Sequence, residues 1–264
     1  MRGLDRLRGA VGDLERAVVA FSGGVDSSLL AWAAHDTLGR DAALAVTAVS
    51  PSLAQGERQE CAETAASLGL RWREVVTHEM ELAAYRRNDP DRCYWCKDAL
   101  MEALGPLADE ERAVVALGVN LDDLAEHRPG QRAAAERGAR FPLVEAGLAK
   151  ADVRRLAREV GLPTADKPAQ PCLASRLPHG TEVSVGALGQ VERAEARLRA
   201  LGFGEVRVRH YGDLARVEVP LGDLDRLLGV RGQAVDAVRA AGYRYVTLDL
   251  DGLRSGNLSP APGA

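Results

Sequence analysis

Lysine is almost missing from this sequence: Lys97, Lys150 and Lys167 stand against 31 arginines in 264 residues. A chain that uses arginine by default marks its few lysines as candidates for work that a planar guanidinium cannot do. Aromatic residues are scarce too, at 4%, so a core must be built mostly from Ala, Val and Leu. The apolar fraction of 46% suffices for one, and the length allows one large domain or two modest ones. No apolar run approaches the length that spans a bilayer. The N-terminal stretch MRGLDRLRGAVGDLERAV lacks the apolar segment of a secretory signal. Its Leu4, Leu7, Val11 and Leu14 have the spacing of an amphipathic helix instead. A cytoplasmic protein is expected. A net charge of −4 argues against a long nucleic-acid track.

Cysteines number only four. In a reducing compartment they read as metal-binding or catalytic before they read as disulfides. Cys61 lies among alanines in a helix expected over 57–68 and reads as a small buried hydrophobe. Cys93-Tyr94-Trp95-Cys96 is a CxxC on a loop expected to enter a helix running from Cys96 to Leu104, stopped by Gly105-Pro106. No second CxxC exists. The pair therefore stays open between half a zinc site, a dithiol redox couple and part of an iron–sulfur ligand set. Cys172 follows Pro171 in Thr164–Gly180, a stretch without periodicity punctuated by Pro168, Pro171 and Pro178. A cysteine on such a loop, near Arg176 and Lys167, points to a chemical role as nucleophile or metal ligand.

The phosphate-binding pattern GxxxxGK[ST] is also absent. What is present is Ala17–Leu30, AVVAFSGGVDSSLL: a short buried-strand pattern, a glycine turn, then small polar residues where a helix would begin. The glycines let backbone approach a ligand closely, and the first helical N–H groups have no internal partners. Phosphate or pyrophosphate is the natural occupant; the bland reading makes Asp26 or Ser27 an ordinary N-cap.

Further strand patterns at 43–50, 70–76 and 113–118 alternate with helical ones, which predicts a parallel sheet with ligands at the carboxyl ends of its strands. After the last of these come Asn120, Asp122 and Asp123, suited to Mg²⁺ or polar nucleotide groups, or to capping a helix around Leu124–His127. Arg128–Ala134 reads as a turn into a helix, Phe141–Leu143 as the end of a short strand, and Lys150 as the start of another helix. His35 and His127 read as solvated surface.

Residues 1–168 are expected to form the α/β domain and 169–264 a smaller α+β domain. In the second, a helix over 187–201 precedes the alternating strand EVRVRH, in which Arg207 and Arg209 share one face. That pair suits a phosphate or carboxylate clamp, or a solvated strand face beside Arg216 and Glu218. A returning strand, two short helices, a last strand over 243–250 and a Gly/Ser/Pro tail complete the reading.

The SGGVDSS stretch resembles the signature of the PP-loop ATP pyrophosphatases (adenine nucleotide alpha hydrolase-like fold). With CYWCK, GVNLDD, HRPGQRAA, KPAQPCLASRLPHG, VRVRHYGDLARVEV and GYRYVTLDLDGLRSG in order, the chain resembles the LarE-type sulfur transferases from about Ala17 to Gly256. The resemblance implies MgATP-dependent adenylation of the carboxylates of pyridinium-3,5-biscarboxylic acid mononucleotide, followed by replacement of AMP with sulfur, in nickel-pincer nucleotide synthesis. It places ATP on Ser22, Gly23, Gly24, Asp26, Ser27 and Ser28, with Asn120 and Asp123 toward nucleotide and Mg²⁺. It puts substrate phosphate on Arg207 and Arg209, and makes Ser175 and Arg176 orienting groups beside Cys172. Lys97 and Lys150 become candidate charge stabilisers. Cys93, Cys96 and Cys172 match the family's three-cysteine kind, which holds a [4Fe–4S] cluster and carries sulfide on it. The resemblance further implies a homohexamer, a sulfide donor and a downstream nickel-inserting protein. The competing reading is a tRNA-thiolating PP-loop enzyme.

Overall fold

A computed structural model describes residues 2–124 and 129–254. In chain order its elements are α1 (Arg2–Gly12), β1 (Ala17–Ala20), α2 (Val25–Leu38), β2 (Ala43–Val49), α3 (Gln55–Ser67) and β3 (Trp72–Val76). Then come α4 (Ala83–Arg86), α5 (Arg92–Glu111), β4 (Val114–Leu117), α6 (Leu121–Leu124), α7 (Pro129–Glu136), α8 (Pro142–Glu145) and α9 (Lys150–Glu159). The remainder is α10 (Val185–Ala200), β5 (Arg207–Tyr211), β6 (Leu214–Glu218), α11 (Leu224–Gly229), α12 (Arg231–Arg239) and β7 (Tyr245–Leu248). They divide into two compact units: Met1–Leu82 with Asp91–Gln170, and Ala83–Pro90 with Pro171–Ala264.

The first unit carries a parallel sheet in the order β3-β2-β1-β4. Strand alternation sends its side chains into two cores. Ala17, Val19, Phe21, Ala43, Ala45 and Ala116 pack with α1, α2 and α9 on one face. Val18, Leu44, Val46, Val115 and Leu117 pack with Leu100, Met101 and Leu104 of α5 and Ala134 of α7 on the other. Cover on both faces explains why β1, β2 and β4 read as nearly continuous apolar runs, whereas the edge strand β3 carries exposed Arg73 and Glu74. The chain runs from β1 out through β2 to β3 and returns with β4 on the other side of β1, so the topological switch lies between β1 and β4.

In the second unit β5 and β6 pair antiparallel and β7 joins β6 in parallel. Val208, Ala215 and Val217 pack against Ala194 and Leu198 of α10 and Val238 of α12. The short segment Ala83–Pro90 belongs here because of Asn88. It adopts φ 57° and is fully buried. Its side-chain amide donates to the carbonyls of Leu177, Pro178 and Thr181, while the N–H groups of Gly180 and Val183 donate to the carbonyls of Asn88 and Arg86.

Three local expectations need correction. Helix α5 starts at Arg92 and runs through Gly105-Pro106 to Glu111, so both thiols of the CxxC lie in its first turns rather than on a loop. Proline disfavours helical backbone before it chiefly through the Cβ of the preceding residue, and Gly105 has none. Phe141–Leu143 ends no strand: Arg140 makes a single bridge to Ala116, and Pro142 opens α8, where its missing N–H is harmless. His35 is half-buried, with an unpartnered Nδ1. His127 and the tail from 255 onward lie outside the described residues.

Candidate functional site

Strand β1 ends at Ala20, and Ser22–Gly24 turn the chain into α2. Gly23 sits at φ 67°, and a Cβ on it would meet the Cys61 sulfur at 2.9 Å, so the turn admits no other side chain cheaply. Cys61 is fully buried beneath it, and burial pushes its thiol pKa up. The turn is pinned from the adjoining strand: Thr47 Oγ1 accepts from Trp72 Nε1 and donates to the Phe21 carbonyl. Ser27 Oγ accepts from Ser22 N and donates to the Gly24 carbonyl, with Ser22 Oγ 3.1 Å away.

No side chain caps α2, whose N-cap is Gly24. Neither Asp26 nor Ser27 takes that part, so the helix start stays open to an anion. Ser28 points inward with its hydroxyl buried.

The end of β4 meets this helix start. A Cβ on Gly118 would lie 2.8 Å from the Ser27 nitrogen and 2.9 Å from the Asp26 carbonyl carbon. That close approach brings Asn120 to Asp26: its Nδ2 donates to Asp26 Oδ1 at 3.0 Å, and Lys150 Nζ pairs with Asp26 Oδ2. Asn120 also caps α6. Its Oδ1 accepts from Asp122 N, while its own N–H donates to Asp123 Oδ2. Asp122 Oδ2 accepts from Lys150 N. The lysine neutralises a carboxylate that would otherwise repel a polyphosphate at the open helix end.

Lys97 is half-buried on α5, one turn beyond Cys93, where its Cγ faces Gly130. Lys167 bridges Glu57 and Glu60 of α3 at 2.8 and 2.7 Å. Burial works against its charge, but those two hydrogen bonds outweigh burial and raise its pKa. All four cysteines are free thiols: Cys93 and Cys172 exposed, Cys96 half-buried, Cys61 buried. Cys93 and Cys96 are three residues apart on one helix, hence on one face.

In the second unit, Cys172 leads into a single 3₁₀ turn, Leu173–Arg176. Arg176 is 2% exposed and holds that turn by its guanidinium. Nη1 donates to the carbonyls of Pro171 and Cys172 and to Ser175 Oγ, while Nε and Nη2 grip Glu195 at 2.8 and 3.1 Å. Arg209, 3% exposed, donates to the Ser175 carbonyl and pairs with Glu218 at 2.8 Å. Arg209 is therefore not solvated, whereas Arg207 on the same face is half-buried. Arg207 differs from Arg209: its Nη1 donates to the Arg254 carbonyl at 3.3 Å. Burial, then the neighbouring Arg176 and Arg209, push its pKa down. It is a cation among cations, suited to an incoming anion.

The sequence reading missed Glu195 and took Glu218 only as part of a solvated strand face, whereas it is fully buried on Arg209. Glu195 had a signal: it stands with Leu188, Val191 and Leu198 on the apolar stripe of α10. Gly118 had none, because only the fold shows what lies above it.

Among the described residues, no group of three or more His, Cys, Asp or Glu side chains is assembled to hold a metal. The donors are nonetheless chemically apt. Asp26 and Asp123 are hard oxygen donors of the kind that complete the shell of a phosphate-bound Mg²⁺. The accessible thiols of Cys93, Cys96 and Cys172 are the donors an iron–sulfur cluster takes.

No family model matches the chain. An uncharacterised protein of Synechocystis sp. is 46% identical over 259 residues, covering 97% of this chain and 96% of the relative. The pyridinium-3,5-bisthiocarboxylic acid mononucleotide synthase of Lactiplantibacillus plantarum is 38% identical over 251 residues, 95% and 91% of the two chains. An uncharacterised protein of Methanocaldococcus jannaschii is 27% identical over 242 residues, 91% and 92%.

Proposed function

The chain belongs to the family of LarE-type sulfur transferases, that of the pyridinium-3,5-bisthiocarboxylic acid mononucleotide synthase, and on that premise we propose that it thiolates a dicarboxylated pyridinium mononucleotide with ATP. A carboxylate is a poor electrophile. Its oxygen attacks the α-phosphorus of ATP, the bond to the β-phosphate bridging oxygen breaks, and pyrophosphate leaves. Sulfur then adds to the acyl carbon, the bond to AMP breaks, and a thiocarboxylate remains. Two rounds convert both carboxylates.

The observation that carries this reading is the pairing of an uncapped helix start at Gly24 with the Asp26–Asn120–Lys150 network at the β1/β4 switch. In this reading the Ser22–Ser28 loop holds the leaving pyrophosphate, and Asp26 and Asp123 take Mg²⁺ with the phosphates. Asn120 aligns the two carboxylates, and Lys150 and Lys97 counter the charge that develops. Arg207 binds the substrate phosphate. Arg209 and Arg176 position the Ser175 and Cys172 backbone, and Cys172 stands at the sulfur-transfer centre. A [4Fe–4S] cluster on Cys93, Cys96 and Cys172 would supply an iron without a protein ligand, able to carry the added sulfide. The proposal extends to the cytoplasm as compartment, residues 1–168 and 169–264 as functional domains, and a homohexamer served by a sulfide donor and a nickel-inserting partner.

The test is anaerobic turnover with ATP, Mg²⁺, sulfide and the dicarboxylated mononucleotide. Expected are pyrophosphate and AMP in equal amounts and oxygen-for-sulfur exchange in the product by mass spectrometry. Pyrophosphate release that ignores the mononucleotide would overturn the reading, as would thiolation of bulk tRNA in its place.

A further inference from the structure

The segment Pro129–Ala134 has no part in the chemistry above, yet its residues touch both halves of the first unit's site. Gly130 is buried in the first turn of α7. A Cβ there would lie 2.8 Å from the Cys93 carbonyl oxygen and 2.9 Å from Lys97 Cγ. Helix α7 therefore rests directly on the backbone of the thiol-bearing turn. Two more contacts hold it there: the Arg132 guanidinium lies over the Tyr94 ring at 5.1 Å, and the Tyr94 hydroxyl donates to Glu136 at 2.7 Å. On its other side, Gln131 Nε2 donates to the Asp123 carbonyl at 3.0 Å. Asp123 is tied to Asn120, and Asn120 to Asp26 at the open helix start.

We propose that the Pro129–Gln131 turn couples occupancy of the nucleotide loop to the placement of the Cys93 and Cys96 thiols, with Gly130 and Gln131 as positioning residues. The proposal rests on the nucleotide-loop assignment made above. A ligand that takes hold of Asp26 or Asp123 shifts the Asn120–Asp123 turn. The Gln131 amide passes that shift to α7, and the Gly130–Cys93 contact passes it on, since packed backbones with no intervening side chain cannot slide freely. Such an element would present the thiols differently before and after ATP binds.

The experiment uses the full-length chain with its thiols reduced, alkylated by iodoacetamide over time. Trypsin releases Cys93–Lys97 as one peptide, so its labelling is read separately from that of Cys172. Saturating ATP analogue with a methylene between the α- and β-phosphates, plus Mg²⁺, is expected to change the labelling rate of that peptide about threefold or more. Gln131→Leu should still bind the analogue by calorimetry but lose most of that change. Gly130→Ala should shift the rate without nucleotide by a similar factor and leave Cys172 labelling unaltered. Wild-type protein that binds the analogue with no change in labelling overturns the proposal, as does Gln131→Leu with the full wild-type response. If calorimetry detects no binding, the nucleotide-loop assignment fails and the coupling falls with it. A Gly130→Ala labelling rate equal to that of the wild type also sinks the proposal.

Discussion

The two units keep their charges in opposite places. In the first, the strands that flank the site, β1 and β4, are apolar on both faces and the site's polar groups gather beyond their ends, at Ser22–Ser28 and Asn120–Asp123. In the second, only one face of the sheet is apolar. The other buries Arg209 with Glu218, and Arg176 pairs with Glu195 beside the Cys172 turn. The rim pair Asp26–Lys150 keeps 19% and 37% of its side chains exposed, within reach of a ligand. Buried pairs carry a desolvation penalty that their attraction offsets only with near-complete hydrogen bonding. Glu195 meets that demand by accepting from Arg176, Arg199 and the Val208 N–H. On the proposed reading the first arrangement binds, and the second holds the turn after Cys172 in place.

The sharpest way to break this contrast is Glu195→Ala, which strands Arg176 in the interior. A loss of about 3–5 kcal/mol is expected for the second unit. The three tryptophans, Trp32, Trp72 and Trp95, all lie in the first. Circular dichroism in urea should therefore show an early transition that tryptophan fluorescence lacks. A fluorescence midpoint shifted as far as the dichroism would refute the division of labour.

Next in size is Gly118→Ala. It should cost the first unit about 1–3 kcal/mol, because the Cβ pushes against the backbone at Ser27, and slow pyrophosphate release by the folded variant about 100-fold. Unchanged pyrophosphate release at a lowered urea midpoint would make Gly118 a packing residue only.

Separating the two strand arginines comes third. Arg207→Ala should raise KM for the mononucleotide about tenfold with little change in the urea midpoint. Arg209→Ala should chiefly lower the midpoint, since it deprives fully buried Glu218 of a partner. Identical behaviour of the two would erase the distinction drawn between them.

The smallest effect is one of pH. His210 is buried against the Tyr243 hydroxyl at 3.0 Å, and burial holds its pKa below the ordinary 6.5. Its contribution is fully present above pH 6.5 and fades as pH falls toward the depressed folded value. Carboxylates of the first unit such as Glu111, lowered by hydrogen bonding to Arg71, lose their contribution only below about 4.5. Between pH 7 and 5 the second unit should therefore weaken while the first holds, as urea titrations at the two pH values would show. His210→Gln should flatten the difference.

Much of this was legible in the chain itself. Four parallel strands, the turn after β1 and the burial of Cys61 follow from local pattern, because covered strands read as apolar runs and a tight turn needs glycine. The start of α5 was not legible, since Asp89-Pro90-Asp91 reads as a turn whether a helix follows at Arg92 or at Cys96. Its passage through Pro106 hides in the residue before the proline.

The sequence by itself determined which chemical groups are available and how they are spaced along the backbone: the open turn, the thiols, the clustered arginines. Tertiary structure decided which of those groups are already taken. Arg209 and Arg207 stand two apart on one strand face, yet Glu218 comes from the facing strand and engages one of them in a carboxylate pair. Partner choice of that kind depends on contacts between residues distant in the chain, and no local period encodes them.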